Sequence, residues 1–329
     1  MKQKKVWSAK SWLSLLMIVL MLTLAACSGN NDKTAGGASA EPSPTASTQP
    51  QETEATAEET VYPLTIVDVT GTELVFDKAP TAVVSIAPSE TESIFAIGGG
   101  EKVVGVDSNS NYPEEVKGLP QVGDYITNIE AVAALNPDLV LAASMNGDAI
   151  TKLRELDIPV YVTDPKSYEE VVAKLEDLGK IMNMNTAAAE AADKMRSTLA
   201  QVTNAVKDAE KKKVYLEISP GWTVGSGEFL DAMITLAGGT NVAASQPGWF
   251  EVNVEEVITQ NPQIIIYPEY GEGSPTEADI VARPGWSELD AVKNDAIIAV
   301  ANDPLVRVGP RLADSLLELA KAIHPELIK

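Results

Sequence analysis

The sequence predicts an α/β fold of two similar lobes with central sheets, joined by one long rigid α-helix, with a ligand cleft between the lobes. Three observations carry that expectation. Short β-branched runs alternate with helical stretches along most of the chain. One helical stretch near the middle has no Gly or Pro. Segments on its two sides repeat each other.

The chain opens with Lys2, Lys4, Lys5 and Lys10 and no acid, then runs almost wholly apolar from Trp12 to Leu24. That is the layout of a secretory leader, and it is short of the roughly 20 residues a membrane span needs. It ends in Leu24-Ala25-Ala26-Cys27, which resembles a bacterial lipobox. Residues 1–26 are therefore read as a signal peptide and Cys27 as the site of lipidation. Cys27 is the only cysteine, so no internal disulfide and no Cys-based metal site is available. Residues 27–60 are rich in Ser, Thr, Ala, Gly, Pro and Glu and lack aromatics. Such a segment buries too little apolar surface to offset its ordering entropy, and it reads as a flexible stalk.

The chain holds 25 basic and 47 acidic residues, a net charge of −22. Four of the lysines lie in the leader, so the rest is more acidic still. This excludes nucleic acid, which demands cations along a groove. It also excludes electrostatic adhesion to anionic lipid, leaving the lipid as the only membrane anchor. The expected location is the outer face of the cytoplasmic membrane.

From residue 61 the pattern is α/β. Buried strands are expected at Val83–Ile86, Val103–Val106, Asp138–Leu141 and Val160–Val162, and later at Val214–Ile218, Ile264–Tyr267 and Ala296–Val300. Their near-continuous apolar character suits parallel sheets covered on both faces. Helices are expected at Glu90–Ile97, Ala149–Leu156 and Tyr168–Met182, and the alternation argues for βαβ units. Between Thr186 and Glu210, Ala188, Ala192, Met195, Leu199, Val202 and Val206 fall on one helical face. Lys211, Lys212 and Lys213 would sit at its C-terminal end, where the dipole favours cations. Asn128-Ile129-Glu130-Ala131-Val132 leading into Asn136-Pro137-Asp138-Leu139 is echoed by Asn253-Val254-Glu255-Glu256-Val257 leading into Asn261-Pro262-Gln263-Ile264. A second echo relates residues 97–103 to 236–242. The organisation read from this is a first lobe at 61–185, a connecting helix at 186–212 and a second lobe at 213–329. A rigid connector implies small hinge motion rather than wide closure.

His324 is the only histidine and is expected at the surface, ending the last helix. Ser-His-Asp and Cys-His catalysis and multi-His metal sites are therefore unsupported. No phosphate loop or Gly-x-Gly-x-x-Gly stands at a strand-to-helix turn. No cofactor is implied, and the chain reads as a binding protein rather than an enzyme. A secreted hydrolase using two carboxylates is the alternative, and a surface adhesin without a deep interlobe pocket is another. The large aromatics stand out. Trp222 follows a strand, Trp249 precedes the second repeat helix, Tyr125 holds nearly the equivalent place before the first, and Tyr112 lies in Asn109-Ser110-Asn111-Tyr112-Pro113. These are loops at strand ends, where open α/β sheets bind ligands, and aromatics there form an apolar clamp with a polar handle.

Four stretches carry a resemblance: Val83-Val84-Ser85-Ile86-Ala87-Pro88-Ser89-Glu90-Thr91-Glu92, Asn111-Tyr112-Pro113-Glu114-Glu115, Asn136-Pro137-Asp138-Leu139-Val140 and Arg307-Val308-Gly309-Pro310-Arg311. They resemble the substrate-binding lipoproteins of ABC importers for cobalamin, haem and ferric siderophores, and among these the vitamin B12 binders most. The resemblance covers nearly everything from Tyr62 onward. It implies ligand contacts at Tyr112, Tyr125, Trp222, Trp249, Asp303 and Arg307, and cobalamin or a related corrinoid as cargo. Asp124-Tyr125 stands where a well-known cobalamin binder has tryptophan. A ferric siderophore or haem is the alternative cargo. The resemblance also implies that Glu130 and Glu255 meet arginines of an ABC permease, which works with its ATPase. Both glutamates also suit their helix starts, Thr127-x-x-Glu130 as a capping box and Glu255 through the dipole.

Replacing the lipid acceptor tests the anchor. Cys27→Ala is expected to leave the protein unprocessed or free of the membrane, and to abolish incorporation of radioactive fatty acid. Label that persists in the variant contradicts the assignment.

Overall fold

Short apolar runs with both faces covered form the two sheets, and the helices between them supply that cover. A computed structural model of the chain describes residues 59–328; the leader, Cys27 and most of the expected stalk lie outside the described residues. In chain order, β1 (Leu64–Val67) and β2 (Glu73–Phe76) pair antiparallel. Then follow β3 (Val83–Ser85), α1 (Pro88–Ala96), β4 (Val103–Val106), α2 (Ile129–Ala134), β5 (Leu139–Ala143), α3 (Gly147–Glu155), β6 (Val160–Thr163) and α4 (Tyr168–Met182). Strands β4-β3-β5-β6 form a four-stranded parallel sheet in that order.

Helix α5 (Asn185–Val206) then leads to β7 (Lys212–Ser219), β8 (Trp222–Val224), α6 (Phe229–Leu236), β9 (Gly239–Asn241), β10 (Trp249–Glu251), α7 (Val254–Gln260) and β11 (Ile264–Glu269). The chain continues through α8 (Glu277–Val281), α9 (Asp290–Lys293), β12 (Ile297–Ala301), α10 (Asn302–Val306) and α11 (Leu312–Ile323). The second sheet runs β10-β8-β7-β11-β12, with β9 also on β7. Its centre is parallel, while β8 and β10 are antiparallel additions. The fold is thus a mixed α/β protein of two lobes, each built on its own sheet.

Helix α5 has 22 residues, about 33 Å at 1.5 Å per residue. Ala188, Ala192, Met195, Val202 and Val206 are buried, on the face their spacing selects, and α5 packs on α4 and α11. It stops at Val206, four residues short of Glu210. Lys212 and Lys213 do not cap it; they open β7 instead. Their ammonium groups bond the last carbonyls of two other helices, Lys212 Nζ to Ile323 O at 2.7 Å and Lys213 Nζ to Gln260 O at 2.8 Å. The charge–dipole logic holds, but tertiary packing supplies different helix ends.

The sequence echo has a backbone cause. Asn128 and Asn253 are both N-caps, their side chains accepting from Ala131 N and Glu255 N. Asn136 and Asn261, which precede the two prolines, adopt left-handed φ of 47° and 49°, a conformation asparagine tolerates better than most residues. Gly98 and Gly238 turn the chain after α1 and α6 at φ 83° and 84°, one residue out of the register in which the sequences align. Two further expectations fail. The Thr127–Glu130 capping box does not form, because Asn128 takes the N-cap position. His324 is 1% exposed rather than at the surface; it ends α11 with Nε2 against Gly238 O at 3.1 Å.

The second lobe is held from within by Glu217 on β7, whose side chain is fully buried. Arg283 grips both of its oxygens, Gly221 N donates to Oε1, and Tyr215 donates to Oε2. The guanidinium lies 4.5 Å from the ring of buried Trp286. Removing one partner leaves an uncompensated buried charge. Arg283→Ala is expected to lower stability by about 3–5 kcal/mol in urea unfolding; a loss below about 1 kcal/mol, the range of exposed pairs, would contradict this account.

Candidate functional site

Parallel strands deliver their following loops to the carboxyl edge of a sheet. In the first lobe Ala87 after β3, Asp107 after β4, Ser144 after β5 and Asp164 after β6 all reach one cleft of about 790 Å³. The facing wall comes from the second lobe: Phe229 at the start of α6, Trp249 on β10, and Asn302, Asp303 and Arg307 beyond β12. The volume lies in the range of small-molecule and cofactor sites.

The floor is braced by buried and half-buried polar groups. Asn146 accepts from Ala143 N at 2.9 Å and donates to Ile86 O at 3.0 Å, tying the ends of β5 and β3 together. Asp107 is 3% exposed. It accepts from Ser110 Oγ at 2.5 Å and Asn109 N at 2.9 Å. The hydroxyls of Ser110, Thr91 and Ser85 continue the chain at 2.8 Å spacings. Burial pushes the Asp107 carboxyl above the usual range, against the opposing pull of these hydrogen bonds and of Arg307.

The cleft is acidic. Asp107, Asp124, Asp164, Glu228 and Asp303 line it, against Lys166 and Arg307. Both cations are already engaged. Lys166 Nζ lies 3.3 Å from Asp164 and 4.0 Å from Glu228 across the cleft. Arg307 is bound by Glu92 at 2.9 Å, Asp303 at 2.8 Å, Asn111 Oδ1 at 2.8 Å and Asn109 O at 3.2 Å. A cargo with anionic groups on its edge finds no uncommitted cation among these lining residues.

Of the residues expected to bind, Tyr125, Trp249, Asp303 and Arg307 are brought together on this cleft. Tyr125 is 83% exposed. Trp249 stands 6.5 Å from the ring of Phe229. Trp222 and Tyr112 are not on the cleft lining. Trp222 pairs with Glu251 across β8 and β10, while Trp249 pairs with Val224. Directly opposed residues share a sheet face, so the two tryptophans share one, with Trp222 beyond the cleft. Tyr112 faces a separate groove beside α5, its ring 4.2 Å under the Arg311 guanidinium. Glu130 and Glu255 are exposed in the first turns of α2 and α7, and neither carboxylate takes an ion pair among the described residues.

Sequence reading passed over Asp107, Met145, Asp164, Lys166, Glu228 and Phe229, all on the cleft. A signal existed for two of them: Asp107 and Asp164 each directly follow the last residue of an apolar strand. Phe229 gave none: it opens an ordinary apolar helix, α6, and only the fold brings it to the cleft.

Comparison with known proteins places this geometry. The profile of a family described as periplasmic binding protein matches residues 83–304. The ABC transporter substrate-binding lipoprotein YvrC of Bacillus subtilis is 36% identical over 280 residues, 82% of this chain and 88% of that one. A vitamin B12-binding protein of Vibrio cholerae is 29% identical over 240 residues, covering 71% of this chain and 86% of that protein. The periplasmic haem-binding protein of Roseiflexus superposes with a TM-score of 0.67 at 28% identity, covering 74% of this chain and 98% of that one.

Proposed function

The chain belongs to the periplasmic binding protein family, and from that premise we propose that it is the cargo receptor of an ABC importer that captures cobalamin or a related corrinoid. The receptor holds its cargo between the lobes and delivers it to a membrane permease and its ATPase. No covalent step is involved. Lipid on Cys27 tethers it to the outer face of the cytoplasmic membrane; no helix among the described residues is long and apolar enough to cross one.

The observation that carries the cargo assignment is the combination of aromatic walls with engaged cations. Catecholate siderophores carrying iron, and haem through its propionates, present anionic groups that want Arg or Lys. Here both lining cations are bound to carboxylates. A corrinoid offers a broad amphipathic body edged by neutral amides. Trp249, Tyr125 and Phe229 suit that body, and Asp303 suits an amide donor. Haem is the second reading, favoured by the exposed phenol of Tyr125 as an axial ligand. An adhesin with no deep pocket fits poorly beside a cleft of about 790 Å³.

Glu130 and Glu255 stand in the first turns of the two repeat helices, one per lobe. In this reading they are the matched pair that arginines of the permease engage. Their caps come from Asn128 and Asn253, so the carboxylates are spared for a partner.

Titration calorimetry with cobalamin, haem, a hydroxamate and a catecholate siderophore decides the cargo. Cobalamin is expected to bind most tightly; tight siderophore or haem binding without a cobalamin signal overturns the corrinoid assignment and leaves the receptor class standing. Truncating an aromatic anchor costs about 2 kcal/mol or more, so Trp249→Ala is expected to weaken cobalamin by roughly tenfold or more. Trp222→Ala, beyond the cleft, is expected to change it far less, and equal losses would contradict the assigned cleft. The double variant Glu130→Ala/Glu255→Ala is expected to bind cargo normally and to lose uptake in cells; normal uptake counts against permease docking.

A further inference from the structure

Glu92 lies on α1 in the first lobe, and among the described residues every bond its carboxylate makes comes from the second. Oε1 accepts from Arg307 Nη1 at 2.9 Å and from Arg311 Nη2 at 2.5 Å, and Oε2 accepts from Arg311 Nε at 2.9 Å. The Glu92 side chain is 1% exposed, and the two arginines 12% and 18%. Gly309 between the arginines lets the backbones touch: a Cβ there would sit 3.3 Å from Ser89 O and 3.5 Å from Glu92 Oε2. Beside this contact, Lys174 Nζ joins buried Glu90 at 2.9 Å and the second lobe's Val308 O at 2.7 Å.

The charges are not interchangeable. Arg311 has no other ion pair among the described residues, whereas Arg307 also holds Asp303. Glu92 is the one carboxylate the two arginines share. Its neutralisation leaves two partly buried guanidiniums close together, with Asp303, paired to Arg307 alone, as the remaining carboxylate. Like charges so placed repel, and the desolvation already incurred is no longer offset. Arg307 would then lose its hold on the first lobe except through Asn109 and Asn111.

We propose that Glu92 is a positioning residue for cargo binding. It does not line the cleft. Its carboxylate fixes the spacing of the lobes and the place of the Arg307 head on the cleft wall before cargo arrives. Such preorganisation raises affinity by removing an ordering cost from the binding step. The proposal rests on the receptor reading above for its cargo, while the spacing is a property of the free protein.

The test uses full-length protein in detergent, with nitroxide labels at Lys152→Cys in the first lobe and Asn294→Cys in the second, both exposed positions, and Cys27→Ser to leave only those two thiols. Electron–electron dipolar spectroscopy reads the interlobe distance without cargo. The parent is expected to give one narrow distribution. Glu92→Gln, which keeps the shape, and Arg311→Gln, which removes the partner from the other side, are each expected to broaden and lengthen it and to weaken cobalamin about tenfold. Distributions that superimpose on the parent overturn the proposal, whatever happens to affinity. Unchanged cobalamin affinity beside an altered distance overturns the role in cargo binding. If the parent itself takes no cobalamin, the cargo assignment falls, and the distance measurement still decides the spacing role.

Discussion

The chain passes from one sheet to the other once, through α5. A single covalent crossing fixes neither the distance nor the angle between two lobes, so noncovalent contacts must. Helix α5 contributes by being continuous and by packing along its buried face on α4 and α11. A helix with no Pro or Gly in its interior lacks the usual causes of a kink. The second brace is electrostatic, the contact of α1 with residues 307–311. Without both, the cleft would be two half-sites with no defined width.

The two halves of the cleft are built on different logic. In the first lobe all four parallel strands send their carboxyl ends to it, so its wall is made by sheet topology. In the second lobe the antiparallel pair β8 and β10 turns away from the parallel centre, and Trp249 reaches the cleft from there. The first wall carries Asp107, Asp124 and Asp164, and the second carries Glu228 and Asp303. An aromatic, carboxylate-rich enclosure with no spare cation suits a bulky cargo whose polar edge is uncharged.

Much of the fold was legible because the parallel strands are buried on both faces and therefore read as unbroken apolar runs. Val103–Val106 and Val160–Thr163 stand within a residue of expectation, and α4 begins and ends at Tyr168 and Met182 as its pattern suggests. The hairpin β1–β2 was not legible, since its strands of four residues alternate buried and exposed over too short a span. Strands β8, β9 and β10 have three residues each, and only their pairing makes them strands. Lys212 and Lys213 show how a correct local rule can pick the wrong partner: they serve helix ends that the sequence cannot show to be near. Glu92 lies in a stretch that carries the family resemblance, yet its role needs Arg307 and Arg311, more than two hundred residues away.

The central claim is that a corrinoid sits between the lobes against Trp249 and Tyr125. A crystal grown with cobalamin, with diffraction recorded at the cobalt absorption edge, tests it most directly. The account predicts one strong anomalous peak inside the cleft, bounded by Trp249, Tyr125 and Asp303. A peak in the groove beside Tyr112 and α5, or no peak at saturating cobalamin, would contradict it.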